Sequence, residues 1–590
     1  MAAARSTGAA MVAAMNSGTT DALRLQPQHS ADSGRAAALA LAILCVVWLL
    51  LVRTDGLSFD SVEYAVFIRD ARTLFHPHHL IYEPVLLPLS RGLAAIGASH
   101  PELLAARIHN VIWAGLGAYF LIRIVQGLGL SAVLGMLVVG LMAGTAGIML
   151  FATQNDVYVP ALACTIVTLY ALQQLEKRTD RRWVAVAVAG WAGATLYHQS
   201  GVLLAAPIFF FCVSTRGAWP GLRLFLLIAV PAGAITLFLY VVGFLAEGYA
   251  VSAADFIHYI FLYAFEPSLL WAEPSSHTLH GLYTTLRSDA EAFFYLPWWP
   301  LRVLAIGALV LGIAACIAIV RGAARHVVRA SAVGILAFLL FRWWWLPREP
   351  ELAIVPIAFY LLIFAAGLAT ALGRLAARTR NHALLGAGAV VAIMAAWNLS
   401  AGARSPLLVP DTEMHEAARL ARMNSSGCLI LDFHHQILRA DYFFGQKVAN
   451  KTALLLHYLD RSSIYSDRGQ RALKAVQGAP CLLFSTEWLD PKFLIYRATG
   501  ETNPDGWRAL VLSLFTQKDS GAAATLSVSR FETWDDPAFG RMARVTRDGA
   551  HDMPEERFWA MFRRQVLSCG SPRFPPDKQH YIATGCIEVR

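Results

Sequence analysis

Long apolar runs broken by short polar stretches fill the first two thirds of the chain. They predict eleven membrane-crossing helices, at about residues 36–53, 103–126, 130–151, 156–176, 181–197, 199–215, 221–245, 302–321, 327–345, 349–371 and 383–401. Apolar helices of about 18 residues or more are long enough to cross the hydrocarbon core. A twelfth run, VLLPLSRGLAAIG (85–97), is short and holds a proline and an arginine, so it reads as an interfacial or re-entrant piece. From about Ala403 the pattern changes. TEMHEAARLARM, RGQRALKAV and PEERFWAMFRRQVL carry helical periodicity, and CLILDF, CLLFS and TLSVSRFE read as strands. The expected fold is therefore an α-helical polytopic membrane domain (35–402) followed by a soluble α/β domain (403–590). Residues 1–34, rich in Ala, Ser and Gly, read as disordered. The first apolar run begins late and lacks a small-residue cleavage site, so it is expected to stay as a span.

Charge sets the orientation. Only 15% of the 590 residues are charged, against about 25% in soluble domains. A net charge of +9 would raise nucleic acid as a partner of a soluble protein. Here the basic residues sit in alternate short loops: Arg123, 176–182, Arg216 with Arg223, RGAARHVVR (321–329) and GRLAARTR (373–380). That is the cytoplasmic signature, and it excludes a nucleic-acid reading. The N-terminus is then cytoplasmic, and the loops 55–102 and 246–300 and the tail domain lie on the outer side. The Ala- and Arg-rich composition suits a bacterial inner membrane and a periplasmic tail.

The polar residues of interest collect on that outer face: Asp60 and Glu63 in LSFDSVEY, His76, His78 and His79 in FHPHHLIY, Asn155 and Asp156, His198 and Gln199, and Arg348 and Glu349. Ionisable groups at membrane depth are costly and default to functional candidates. On a helix through LSFDSVEYAVFIRD, Asp60, Glu63, Phe67 and Asp70 share one face. Each motif also has a plainer reading. Asp60 with Glu63, and Asn155 with Asp156, have the spacing of helix caps, and His198-Gln199 suits a loop capping two half-buried helices. The histidines lack helical ligand spacing and Pro77 breaks a helix, so phosphate or hydroxyl binding is favoured over zinc. No metal ligand is assigned, although a divalent cation stays open as a cofactor. Trp343, Trp344 and Trp345 form an aromatic belt.

Cys45, Cys164, Cys212 and Cys316 fall in spans and read as small hydrophobes. Cys428, Cys481, Cys569 and Cys586 fall in the tail, where an oxidising compartment allows disulfides. The Cys428–Cys481 and Cys569–Cys586 pairings are both open, with the second preferred for its short loop.

The order of these features resembles the GT-C integral-membrane glycosyltransferases, especially the bacterial relatives of protein O-mannosyltransferases and lipid-A aminoarabinose transferases. The likeness lies in the acid-bearing first loop SFDSVEY, the segment YEPVLLPLSRGLAAIG, NDVYVPALACTIVTLYALQQLEKR, GWAGATLYHQSGVLLAAP and LPREPELAIVPIAFYLL. His198 stands where that family usually has lysine, and Glu349 where tyrosine is common. The resemblance implies a polyprenyl-phosphate sugar as donor, embedded in membrane lipid, and a glycan, lipid or protein as acceptor. It implies Asp60 as general base with Glu63 beside it, and inversion at the anomeric carbon. Arg348, His198, Gln199, His78 and His79 would bind the donor phosphate. Tyr64, Asn155, Asp156 and Glu349 would face acceptor or sugar, and Tyr82 and Trp271 would wall it. The competing classes are a lipid-linked sugar flippase without transferase activity, and a non-catalytic assembly or sensor protein. A flippase more often shows internal repeats and mid-bilayer charges, and neither is present in the sequence.

Overall fold

The structure, a computed structural model, describes residues 31–52 and 59–402 apart from 72, 129–130, 178–179, 249–250, 262–277, 297, 321–323 and 348–349, together with short tail stretches between 428 and 560. The helices are α1 Ala31–Leu51, α2 Phe59–Asp70, α3 Tyr82–Ala95, α4 Pro101–Gly127, α5 Ala132–Gly144, α6 Ala146–Phe151, α7 Tyr158–Lys177, α8 Arg181–Tyr197, α9 Ala205–Arg216, α10 Ala218–Ala246, α11 Ala253–Ile260, α12 Leu279–Phe293, α13 Trp299–Ile319, α14 Ala324–Trp344, α15 Ile357–Leu372 and α16 Ala377–Gly402. Single 3-10 turns, Gln199–Leu204 and Glu351–Ala353, lead into α9 and towards α15.

Among the described residues nine helices are long and apolar enough to cross a membrane, against the eleven expected. Two expected spans account for the difference. The run 130–151 breaks after Gly144, because Thr145 takes extended backbone angles and its hydroxyl accepts from Ile148 N at 3.3 Å, starting a new helix. The run 181–197 is one helix, α8, of 17 residues. All of VLLPLSRGLAAIG but its last two residues lies in the 14-residue helix α3, too short to cross.

The ends of these helices follow local chemistry. Asp180 caps α8 by accepting from Arg182 N at 3.0 Å. Pro101 opens α4, where a missing N–H costs nothing. Gly217, at φ +82°, reverses the chain between α9 and α10 in a conformation that penalises any Cβ. Arg107 on α4 donates to Leu50 O and Val52 O, at 2.7 and 2.9 Å, tying off the last carbonyls of α1.

Position in the bundle follows the side chains. Helix α7 is buried along most of its length, with Thr165, Thr168 and Gln173 enclosed among the apolar residues. Helix α13 has no buried residue, so its apolar surface faces lipid. In the tail, a four-stranded sheet runs in the order β1-β2-β6-β5, with β1 Leu429–Leu431, β2 Cys481–Ser485, β5 Arg530–Asp536 and β6 Gly540–Thr546. β1 and β2 are parallel and the other pairs antiparallel. β3 Thr516–Gln517 and β4 Thr525–Leu526 form a separate antiparallel pair. A Cys428–Cys481 disulfide joins the starts of the two parallel strands. The preferred pair, Cys569–Cys586, lies outside the described residues, as do residues 1–30.

Candidate active site

α2 carries the first-loop acids. Ser61, Val62, Ala65 and Ile68 are buried, whereas Asp60, Glu63 and Phe67 are half-buried and Asp70 is exposed. The helix thus turns its apolar stripe inward and leaves the face with both acids accessible. Tyr64 donates from its hydroxyl to Asp60 Oδ2 at 3.3 Å. Burial, followed by the charge of Asp60, holds the Tyr64 phenol well above its ordinary pKa, so it remains a donor. From behind, Asn155 donates to Ser61 O at 2.9 Å and so pins the first turn of α2.

A histidine loop packs against this helix. The His79 ring lies 4.4 Å from the Tyr64 ring and stacks on His76 at 4.5 Å. His78 sits 5.4 Å from His76. His79 Nδ1 is 2.9 Å from both carboxyl oxygens of Glu83, a residue with no exposed surface. Burial pushes the His79 imidazole down to about 3 and the Glu83 carboxyl well up. Both shifts favour the neutral forms. The geometry alone would suggest an ion pair, but at this depth the cost of burying separate charges exceeds what their attraction returns.

The loop is fastened through its backbone. Phe75 N donates to Glu247 Oε1 at 2.8 Å, and Gln199 N donates to His78 O at 3.0 Å. Tyr240 and Tyr259 donate to Pro77 O and Phe75 O. The 198–204 turn can approach because residue 201 is glycine. A Cβ there would lie 2.5 Å from the backbone of Ala194 and Thr195.

His198 has a mixed assignment. Its Nδ1 accepts from Ser200 N at 3.2 Å and lies 2.7 Å from Ser200 Oγ, which is the capping role. Burial, and then His79, pushes it down to about 3, so the ring is neutral with its proton on Nε2. Burial likewise lowers His78. These rings offer a phosphate N–H donors, not cations. The Gln199 side-chain amide is engaged with Ile260 O at 2.9 Å. Asp156, buried at 1% exposure, accepts from the next residue's amide, Val157 N, at 2.7 Å, and not from the N2 or N3 amide that a helix cap takes.

The structure therefore brings Asp60, Glu63, Tyr64, His78, His79, Asn155, Asp156, His198 and Gln199 into one neighbourhood. Asn155 and Asp156 are enclosed, so they shape the site and do not line it. Tyr82, expected to wall the sugar, is also fully buried, with its hydroxyl 3.2 Å from Asn110 Nδ2. Arg348, Glu349 and Trp271 lie outside the described residues. Among those described, no group of three or more His, Cys, Asp or Glu side chains is arranged to hold a metal ion. Sequence reasoning missed Glu83, Tyr158 and Glu351. Tyr158 donates to Glu351 Oε2 at 3.3 Å and lies 4.7 Å, ring to ring, from His198. It also missed Asp289 and Arg342, both almost fully buried and paired. An arginine inside the apolar FLLFRWWW was the available signal.

No protein-family model matches the chain, and no curated protein matches it in sequence. Solved structures do match. ArnT from Cupriavidus metallidurans bound to undecaprenyl phosphate superposes with a TM-score of 0.51 at 13% identity, over 89% of this chain and 100% of that one. The chain shares the GT-C-like fold of this ArnT. The apo state of the same ArnT covers 88% of this chain and 100% of that one, at 12% identity and a TM-score of 0.48. The Saccharomyces cerevisiae Pmt1-Pmt2 O-mannosyltransferase complex bound to its sugar donor covers 39% of this chain and 36% of that one, at 11% identity and a TM-score of 0.32, and carries no weight here. At 13% identity it is the helical architecture that is shared.

Proposed function

We propose that the protein is a membrane glycosyltransferase that moves a sugar from a polyprenyl-phosphate donor to an acceptor hydroxyl at the outer membrane face. The observation that carries this reading is Asp60. It is a half-buried carboxylate on the first-loop helix of a GT-C-like fold, oriented by the Tyr64 hydroxyl. The ArnT to which the chain is similar was solved with undecaprenyl phosphate, which supports a lipid phosphate as the leaving group.

Asp60 takes the proton from the acceptor hydroxyl as its oxygen attacks the anomeric carbon. The bond from that carbon to the phosphate oxygen breaks, the electron pair leaves with polyprenyl phosphate, and the configuration inverts. Glu63 stands one helical turn away and positions the acceptor. Half-buried His78 presents an N–H donor to the departing phosphate, the enclosed His79 and His198 pack behind it, and Arg348 supplies the positive charge. Glu349 falls beside it in sequence and is assigned to the sugar. No metal is required by this scheme.

The purified protein in vesicles, offered a panel of polyprenyl-phosphate sugars with candidate acceptors, is expected to yield a product one sugar heavier by mass spectrometry. Movement of donor lipid across the bilayer with no product from any donor would instead establish a flippase. Orientation is tested separately. With the other reactive cysteines removed, Ala323→Cys in the basic 321–329 loop should resist an impermeant thiol reagent on intact cells, and a cysteine appended after Arg590 should react. Labelling at position 323 from outside reverses the assigned topology.

A further inference from the structure

Near the end of α12, where the chain turns into α13, two arginines close on one carboxylate. Arg287 Nε donates to Glu291 Oε1 at 2.8 Å, and Arg302 Nε lies 3.1 Å from the same oxygen while donating to Leu296 O at 2.8 Å. The three side chains are half-buried. Two guanidinium groups against one carboxylate leave one positive charge uncompensated within the cluster. Both arginines bond through Nε. Among the described residues none accepts from their Nη nitrogens, whose paired N–H groups match two oxygens of a phosphate.

The cluster stands at the level of lipid headgroups. Arg302 is on the first turn of α13, a helix with no buried residue, and the adjoining Trp298 and Trp299 are exposed. Trp397, also exposed near the end of α16, donates to Tyr295 O at 2.9 Å and stacks on Phe294. Tryptophans gather at membrane–water interfaces in this way. The corner is also fixed in place. Asn398 accepts from Tyr295 N at 2.9 Å and donates to Gly144 O and Phe293 O, both at 2.8 Å, tying the ends of α5 and α12 to α16. Burial, and then the charge of Glu291, raises the Tyr295 phenol above its ordinary pKa, so it stays a donor beside the arginines.

We propose that Arg287 and Arg302, with the Tyr295 hydroxyl beside them, bind the phosphate headgroup of an anionic phospholipid from the surrounding bilayer. Its acyl chains lie along α13, where Val303, Leu304 and Leu311 are exposed. A free anion has no use for that apolar face or for the tryptophans above it. Partly exposed ion pairs add little stability, so holding two arginines on one acid has a small structural return, whereas an anion needs both. The site shares no residue with the candidate active site and does not depend on the transferase reading.

The test titrates the full-length protein, in neutral detergent, with phosphatidylglycerol or phosphatidylcholine and counts retained lipid by native mass spectrometry. Wild type should hold phosphatidylglycerol about ten-fold more tightly than phosphatidylcholine. Arg287→Gln should weaken phosphatidylglycerol about five- to ten-fold. Glu291→Gln keeps the shape and an acceptor oxygen but removes the opposing charge, so it should tighten binding about two- to five-fold. A purely structural ion cluster predicts no such gain. Equal affinity for the two lipids, or unchanged binding in Arg287→Gln, overturns the inference. So does unchanged or weaker binding in Glu291→Gln at a wild-type thermal midpoint. Displacement of phosphatidylglycerol by inorganic phosphate at the same concentration would reveal a free-anion site and overturn the lipid assignment. An equal loss of undecaprenyl phosphate binding in Arg287→Gln would place the arginine in the donor site and overturn it as well.

Discussion

Replacing Asp60 with asparagine is expected to slow sugar transfer by about 10²–10⁴-fold, the usual loss on removing a general base, while donor binding survives. The carboxylate lies on the accessible face of α2, and Tyr64 reaches it at 3.3 Å. Asparagine keeps the size and can still accept from Tyr64, so the change isolates proton removal. Glu63→Gln should cost less, because Glu63 acts on placement. Tyr64→Phe should fall between, since it loses the orienting contact and keeps the base. The rival reading of Asp60 as a helix cap predicts another outcome. Asparagine caps about as well as aspartate, so activity would stay near normal. Single-turnover rates at saturating donor, normalised to protein abundance, decide between them. Wild-type rates in Asp60→Asn would falsify the assignment and move the base to Glu63.

Breaking the buried Asp289–Arg342 pair from one side should be the most damaging change to folding. Either Asp289→Ala or Arg342→Met strands a charge that has no exposed surface to retreat to, a situation that costs about 3–5 kcal/mol. The double variant Asp289→Leu/Arg342→Met removes both charges, and buried pairs replaced by apolar residues of similar size are often neutral. It should recover most of the midpoint of thermal unfolding lost by either single change. A double variant as unstable as the singles would show that the bonds to Thr285 O and Tyr360 carry the stability, and not the charge pairing.

The bundle was largely legible because membrane helices announce themselves through length and apolarity. α1, α4, α7, α9, α10, α13, α14, α15 with its leading 3-10 turn, and α16 match expected spans to within a few residues. Thr145 escaped notice because a capping hydroxyl inside an apolar run costs little in hydropathy yet can end a helix. The accessible face of α2 was readable from periodicity, since Asp60, Glu63, Phe67 and Asp70 fall on one stripe. The partners of those residues were not. Glu83 meets His79 through one helical turn at the mouth of α3, but nothing local says that both are buried. Asn155 reaches Ser61 across 94 positions, and Asp289 reaches Arg342 across 53. Contacts at such separations depend on how the helices pack, which no local pattern encodes. In the tail, β1, β2 and β4 fell within strand-like runs and β5 starts in TLSVSRFE but runs four residues past it, whereas GRMARVT, which forms β6, has too many polar residues to stand out.

The histidine loop is gripped by its main chain, as a tool bit is held in a chuck. Glu247, Tyr259, Tyr240 and Gln199 all seize peptide groups of residues 75–78 and leave the side chains to vary. His76 adds to that grip from its own side chain, stacked on His79 and with Nδ1 accepting from His78 N at 3.4 Å. Exchange at Phe75 or His78 leaves those four main-chain bonds in place, so the loop can keep its path while the groups it presents change.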